Sequence, residues 1–482
     1  MTQPDDTPAS SDMRRRLRRQ RGSRRGVALI MVLAAIAVLT VMLAEFQDEA
    51  SSELSGALTD RDALKAEYLA RSGVNLSRLL IAAEPTIRTA IAPLFMMMRM
   101  KAPQIPVWEF SDRVLGAFND EEGGQEFTAL AGVDLSEGKN LGIKDGRFEV
   151  VIVDEDAKLN MNIAARGDAF SEQRLALQLV GLMMGDQYNP LFEQRDQDGQ
   201  YSDRLSICSA LIDWADPDEN LFSCDVGSTV MASTTGSEDA FYSFIKPPYR
   251  RKNAAYDSLE ELRMVRGVGD DFWATFIDPE PGNPKKRVAT VWGQGAVNVN
   301  TANPQTLLAV VCAAGPQSTV CTDPAKAQTF LMVVGLIRNF TAGAPLFGSP
   351  KEFIKVLKGQ GLIGPMFASL GIEPVQFLSE SEAEKMITTE SKVFSIYADG
   401  IVPGFRRKTR VRIHTVVDFR AAPAPGYAPV PGTASTGGST TGTAPGSINT
   451  TSGAGSGTTA TQGIAAATAP NPGGSIIYWR IE

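Results

Sequence analysis

The sequence predicts an α+β fold: a long N-terminal helix packed on an antiparallel sheet, with a large all-helical insertion. Three observations predict it. An uncharged apolar run at residues 27–44 sits behind an arginine-rich start, and heptad-like apolar spacing continues through Leu54, Leu58, Leu64, Leu69 and Leu76. Strand-like alternation appears at 146–154 and again from 392 to 420, with helix-period segments between. A short apolar segment, 476–481, returns after a low-complexity stretch.

Between Met13 and Gly26 stand eight arginines, Arg14, Arg15, Arg16, Arg18, Arg19, Arg21, Arg24 and Arg25, and no acid. Residues 27–44 carry no charge and a single hydroxyl, Thr40. At 1.5 Å per residue this run is about 27 Å long, close to a bilayer core. The positive-inside rule keeps the arginines cytoplasmic and exports the C-terminal bulk. A cleaved secretory signal has the same basic start but a shorter apolar region ending in a small-x-small site. Here Glu45, Phe46 and Gln47 follow instead. A plain signal anchor is the other ordinary reading.

With 482 residues, the chain has enough length for two or three packed units beyond the helix. Its formal charge is −8; residues 1–26 hold eight Arg and three Asp, or +5, so the rest stands at −13. An acidic bulk disfavours nucleic-acid binding. The four cysteines fall into two local pairs, Cys208 with Cys224 and Cys312 with Cys321. Export to an oxidising compartment makes disulfides the leading reading, with these pairings preferred among three possible connectivities. No CxxC occurs, and the single histidine, His414, lies in an alternating strand-like stretch, which disfavours zinc.

Residues 27–85 read as one helix, lipid-facing first and then amphipathic, with Leu69, Val74, Leu76 and Leu80 available for a core. Residues 86–145 show no regular pattern. The segment 146–154 is a strand with Phe148, Val150 and Ile152 on one face. Helices are expected at 172–184, 205–214, 303–311, 325–340 and 349–357. Ser258 with Glu261 three residues later reads as a helix N-terminus at 258–265. Strands at 392–399 and 407–420 read as a hairpin around a turn at Gly400–Gly404. Residues 421–474, rich in Gly, Ser, Thr, Ala and Pro, read as disordered. The strand at 476–481 is expected to close the same sheet.

Arg24-Arg25-Gly26-Val27-Ala28-Leu29-Ile30 resembles the prepilin peptidase site of type IV pilins and type II secretion pseudopilins. The resemblance implies cleavage after Gly26 and a mature chain starting, N-methylated, at Val27, with the helix kept as an assembly stem. Most members carry Glu at the fifth mature position, where this chain has Met31. A carboxylate in lipid is costly without its partner, a neighbouring subunit's N-terminal amine. Its absence resembles the large minor pseudopilin called protein K. So do Tyr68–Val74 (YLARSGV), Asp154–Asn162 (DEDAKLNMN), Leu211–Asp218 (LIDWADPD), Ser258–Gly269 (SLEELRMVRGVG), Val297–Ala302 (VNVNTA) and the final YWR, in that order.

The resemblance implies this division: a prepilin leader at 1–26, the N-terminal helix at 27–85 with 27–44 transmembrane, a pilin-like α/β domain from 86–154 and 386–482, and an inserted helical domain at 155–385. It implies a single-pass inner-membrane protein with periplasmic bulk, a minor pseudopilin at the filament tip. Its implied partners are the minor pseudopilins I, J and H, the major pseudopilin and the prepilin peptidase. A minor pilin of a type IV pilus is the alternative within the class.

The acid-rich stretch from Asp196 to Asp239 is the best place for chemistry. Carboxylates of Asp213, Asp216, Asp218, Glu238 and Asp239 near a loop suit Ca²⁺, which takes six to eight oxygen ligands. The bland alternative is a solvated acidic surface; calcium binding is also what the resemblance implies for the inserted region. The glycines of 258–269 and the asparagines of 297–303 also look like helix-hairpin-helix DNA-binding segments. Read without that likeness, they are helix ends and caps, which the acidic bulk favours. No nucleophile motif accompanies His414 and no phosphate-binding glycine loop occurs, so no enzyme activity is expected.

Overall fold

A computed structural model describes residues 11–97, 101–119, 146–195, 199–225, 239–245, 247–341, 343–361, 363–404, 407–422 and 471–482, with side chains from Val27 onward. The chain divides into two compact units, one of Met1–Lys65 with Val402–Thr409, the other of Ala66–Ile401 with Arg410–Glu482.

Helix α1 spans Ser11–Met97. In the first unit, residues 27–44 are exposed along their whole length. This is the one stretch among the described residues long and apolar enough to cross a membrane. The helix runs past the expected end at residue 85, through Pro85 and Pro93. Each proline removes one amide and crowds one carbonyl, a local cost that the helix absorbs here. The leader expected at 1–26 lies outside the described side chains.

In the second unit, α1 packs on a four-stranded sheet of β1 (Arg147–Asp154), β2 (Val393–Pro403), β3 (Lys408–Asp418) and β4 (Ser475–Ile481), in that spatial order. Strand β1 pairs antiparallel with β2 from Arg147 opposite Ile401 to Asp154 opposite Phe394. Phe148, Val150 and Ile152 are buried, and Ala66, Leu69, Ala70 and Val74 face them from the helix. Leu76 and Leu80, expected in the core, are only half-buried, because the stripe runs on through Ser77, Ile81 and Ala82.

The hairpin turn starts at Gly404, whose amide donates to the Arg407 carbonyl at 2.9 Å, and not at Gly400. Strand β2 continues through Gly400 to Pro403. The glycine is there for close approach: a Cβ on Gly400 would strike the backbone carbonyl of Ala66 and stand 2.9 Å from the Ala70 nitrogen. Gly73 serves the same purpose from the helix side, since its Cβ would meet Val150 at 3.0 Å and Phe148 at 3.2 Å.

Between Asp154 and Val393 the chain forms the helix-rich region. It contains α2 (Ala169–Met183), α3 (Arg204–Asp213), α4 (Pro304–Ala314), α5 (Pro324–Phe340) and α6 (Pro350–Leu357). Oxygens of Asp168, Asp203, Asn303 and Asp323 accept the first free amides of α2, α3, α4 and α5. Leu175, Leu179, Leu211, Phe276 and Phe330 are in its core. Cys208 is joined to Cys224 and Cys312 to Cys321, with Cα atoms 6.1 and 5.5 Å apart.

At Ser258 the expected α-helix is instead a short 3-10 turn, Leu259–Met264, with no side-chain cap. The Glu261 carboxylate reaches past Ser258 to the Asp257 amide, at 2.8 Å, and to the Trp214 indole, at 2.9 Å. The disorder expected for 421–474 lies outside the described residues over 423–470. At 471–474 the chain turns into β4, with Arg78 donating to the carbonyls of Gly473 (2.7 Å) and Gly474 (2.9 Å).

Gly400→Ala should therefore cost about 2 kcal/mol or more, because backbone lies where the methyl must go. Urea unfolding of the protein in detergent measures this. An unchanged midpoint would mean that the helix and sheet do not meet at Gly400.

Candidate functional site

Helix α3 ends at Asp213, and a tight turn continues through Trp214, Ala215 and Asp216. Cys208, one turn inside α3, is bonded to Cys224, so the acidic loop between them is closed at its base. Trp214 turns inward, 5.6 Å from Tyr242 and stacked at 6.5 Å on Tyr256. That anchor pulls the flanking carboxylates out of water.

The Asp213 carboxylate is buried and accepts the Phe222 amide at 2.8 Å. Burial pushes its pKa up to about 8. Asp216 is 1% exposed, and its Oδ1 has no hydrogen-bond partner. Burial, then the neighbouring Asp218 and Glu172 charges, push it up to about 7.

One cation is built into the loop. The Arg251 guanidinium donates to the carbonyls of Asp213 (3.1 Å) and Asp218 (3.3 Å), and its Nε lies 3.5 Å from Asp239 Oδ1. Asp218 therefore contributes its main chain, while its exposed side chain accepts the Asn220 amide.

Of the five acids singled out for a metal, Asp213, Asp216 and Asp239 lie about Arg251. Asp218 is exposed and bonded to the Asn220 amide, though near enough for its charge to act on Asp213, Asp216 and Arg251, and Glu238 lies outside the described residues, as do Asp196 and Asp198. Among the described residues, no three Asp, Glu, His or Cys side chains converge on one metal position. The unpartnered Asp216 oxygen, beside oxygen-only donors, is the feature here that fits a hard cation.

A second buried acid group was legible only as part of the DEDAKLNMN segment. Asp154 accepts from the hydroxyls of Ser391 and Thr301, both at 2.5 Å. Asp156 accepts the amides of Lys392 (2.7 Å), Val393 (3.1 Å) and Gln294 (2.7 Å). Burial raises both carboxyls, to about 7 for Asp154 and about 6 for Asp156. Their partners span the departure from β1 and the return to β2, so this cluster is a structural clamp.

His414 lies in β3, stacked on Tyr397 at 4.2 Å and tilted 5.0 Å from Tyr478. Burial pushes its pKa down to about 4. It is a neutral aromatic of the sheet face. In the DNA-binding-like segments, Leu259 and Leu262 are buried, and Asn303 caps α4 by accepting the Thr306 amide at 2.7 Å. They act as turns and caps.

Residues 157–276 match the family model described as Type II secretion system (T2SS), protein K. The chain is 26% identical over 176 residues to the Type II secretion system protein K of Aeromonas hydrophila, a match covering 34% of this chain. It spans about half of that relative, 47% of its length. A chain in the crystal structure of the GspK-GspI-GspJ complex from enterotoxigenic Escherichia coli is similar with a TM-score of 0.34 and 14% identity, over 58% of this chain and 76% of that one.

The raised Asp216 pKa fixes the sign of a pH effect. A carboxyl at about 7 when folded and 3.8 when free holds its proton longer in the folded state, so its burial costs stability as pH rises from 4 to 7, and fully above 7. In calcium-free buffer, Asp216→Asn should stabilise the protein by roughly 1–2 kcal/mol at pH 8.5 and by almost nothing at pH 4. Equal effects at both pH values in thermal unfolding would contradict the assignment.

Proposed function

We propose that this chain, whose residues 157–276 match the type II secretion system protein K family model, is a minor pseudopilin initiating or capping the pseudopilus at its tip. The observation that carries this reading is the coexistence of the matched region with one exposed, charge-free helix at residues 27–44. The helix gives the chain a single-pass membrane anchor. We place the bulk in the periplasm, where two disulfides are chemically at home.

In this reading the prepilin peptidase cuts after Gly26 and methylates Val27. Residues 27–44 then pack against the corresponding helices of the minor pseudopilins I, J and H and of the major pseudopilin. Met31 offers no carboxylate to a further subunit's amine, which suits a terminal position. The helix-rich region between β1 and β2 is too bulky to repeat along a close-packed filament. The protein works by assembly and not by catalysis, for export across the outer membrane.

Calcium is a second element of the proposal, carried by the unpartnered Asp216 oxygen. Asp216, Asp213 and main-chain oxygens of the loop would hold it, with Glu238 and Asp239 as further donors. When bound, it would neutralise carboxylates that burial otherwise keeps protonated.

Sequencing the N-terminus of the membrane-extracted protein tests the class: we expect N-methylated Val27, whereas an intact leader would leave a plain anchor. Calorimetry tests the metal. Ca²⁺ affinity should rise with pH between 5.5 and 8, as Asp213 and Asp216 lose their protons, and fall at least tenfold in Asp216→Asn. No heat and no shift in melting temperature would end the calcium proposal.

A further inference from the structure

Arg338 stands in the last turn of α5, where a cation suits the negative end of the helix. Its guanidinium has little to bond with. Nη2 donates to the Val299 carbonyl at a long 3.4 Å. The other N–H groups have no acceptor among the described residues, and no carboxylate there lies within ion-pair distance. Glu109, whose charge reaches Arg338, is held by Lys285 at 3.1 Å. Burial pushes the guanidinium down to about 10, so it keeps its charge at neutral pH.

Val299 and Arg338 line a small pocket of about 40 Å³. Phe330, Phe347, Phe353 and Phe367 line the rest of it with apolar rings. The frame is fixed by hydrogen bonds. The Asn300 side chain accepts the amides of Leu346 (3.1 Å) and Phe347 (3.0 Å) and donates to the Phe347 carbonyl at 2.9 Å. Phe347 in turn meets Phe353 edge-on, with ring centres 5.1 Å apart. The pocket is therefore pre-formed, with one charged group set among apolar walls.

Size and chemistry narrow the ligand. At about 10–15 Å³ for each water-sized group, the pocket has room for roughly three or four non-hydrogen atoms. A guanidinium presents parallel N–H groups that match the two oxygens of a carboxylate. Sulfate or phosphate would turn its remaining oxygens onto phenylalanine rings, at the cost of stripping them of water. A carboxylate on a short carbon chain instead carries its apolar end into those rings.

We propose that this pocket binds a short aliphatic monocarboxylate, acetate or propionate in size, with its oxygens on Arg338 and its carbons among the phenylalanines. The inference rests on neither the secretion reading nor the calcium site, and each can fail alone.

The test follows thermal unfolding of the full-length protein in detergent and calcium-free buffer at neutral pH, as sodium propionate replaces sodium chloride at constant ionic strength. So few atoms should bind with a dissociation constant of about 1–10 mM. A propionate concentration of about 50 mM should then raise the melting temperature by about 2 °C or more, and the rise should saturate. Propionamide has the same shape and no charge, and should leave the melting temperature where it is. Arg338→Gln should abolish the rise. Arg338→Lys keeps the charge and loses the paired donors, so it should weaken binding at least fivefold. If Arg338→Gln is itself unstable, the comparison of propionate with propionamide on the parent protein decides. No response to propionate, an equal response to propionamide, or a rise that stays linear and persists in Arg338→Gln overturns the proposal.

Discussion

The architecture depends on a single junction. Strands β1 and β2 pair residue for residue until Asp154 faces Phe394, so the chain must leave and re-enter the sheet at one point. Asp156 fixes that point by accepting the amides of Lys392 and Val393 at the return and of Gln294 from the excursion. Asp154 adds Ser391 and Thr301. Because both ends are neighbours, the length of the excursion matters little to the cost of closing it, which grows only logarithmically. A large helical region can therefore be carried by a small sheet. The clamp is a buried carboxyl pair and costs desolvation, which the convergent donors offset.

The second constraint is the closeness of helix and sheet. Gly400 and Gly73 bring α1 near enough for Ala66, Leu69 and Ala70 to cover Phe148 and Val150. Larger residues at either glycine would lift the helix away. The membrane-facing part of α1 needs no such partner in the isolated chain, because lipid and neighbouring helices are its proper solvent.

The fold was legible where the physics is local. Alternation marked β1, helix-period segments marked α2 to α6, and the charge-free run marked the anchor. What was not legible depends on distant residues. Gly400 read as a turn because nothing nearby in sequence says that Ala66 will lie against it. Ser258 and Glu261 read as a capping box, but Trp214 and the Asp257 amide claim the Glu261 carboxylate. In the acidic loop, carboxylate spacing pointed to Asp213 and Asp216 but gave no hint that Arg251 already supplies a cation there. Asp154 and Asp156 were legible only as part of the DEDAKLNMN segment, because the donors that make them a clamp, from Gln294, Thr301 and Ser391, lie more than a hundred positions away.

Anchor, clamp and insertion are the parts that the proposed subunit would bring to an assembly with others. The claim that these others belong to a secretion machine is tested most directly by extracting the protein from native membranes and identifying what accompanies it. Recovery with the other minor pseudopilins and with components of the secretion apparatus is the result expected. Recovery with the minor pilins of a type IV pilus, and with no secretion component, would contradict the account.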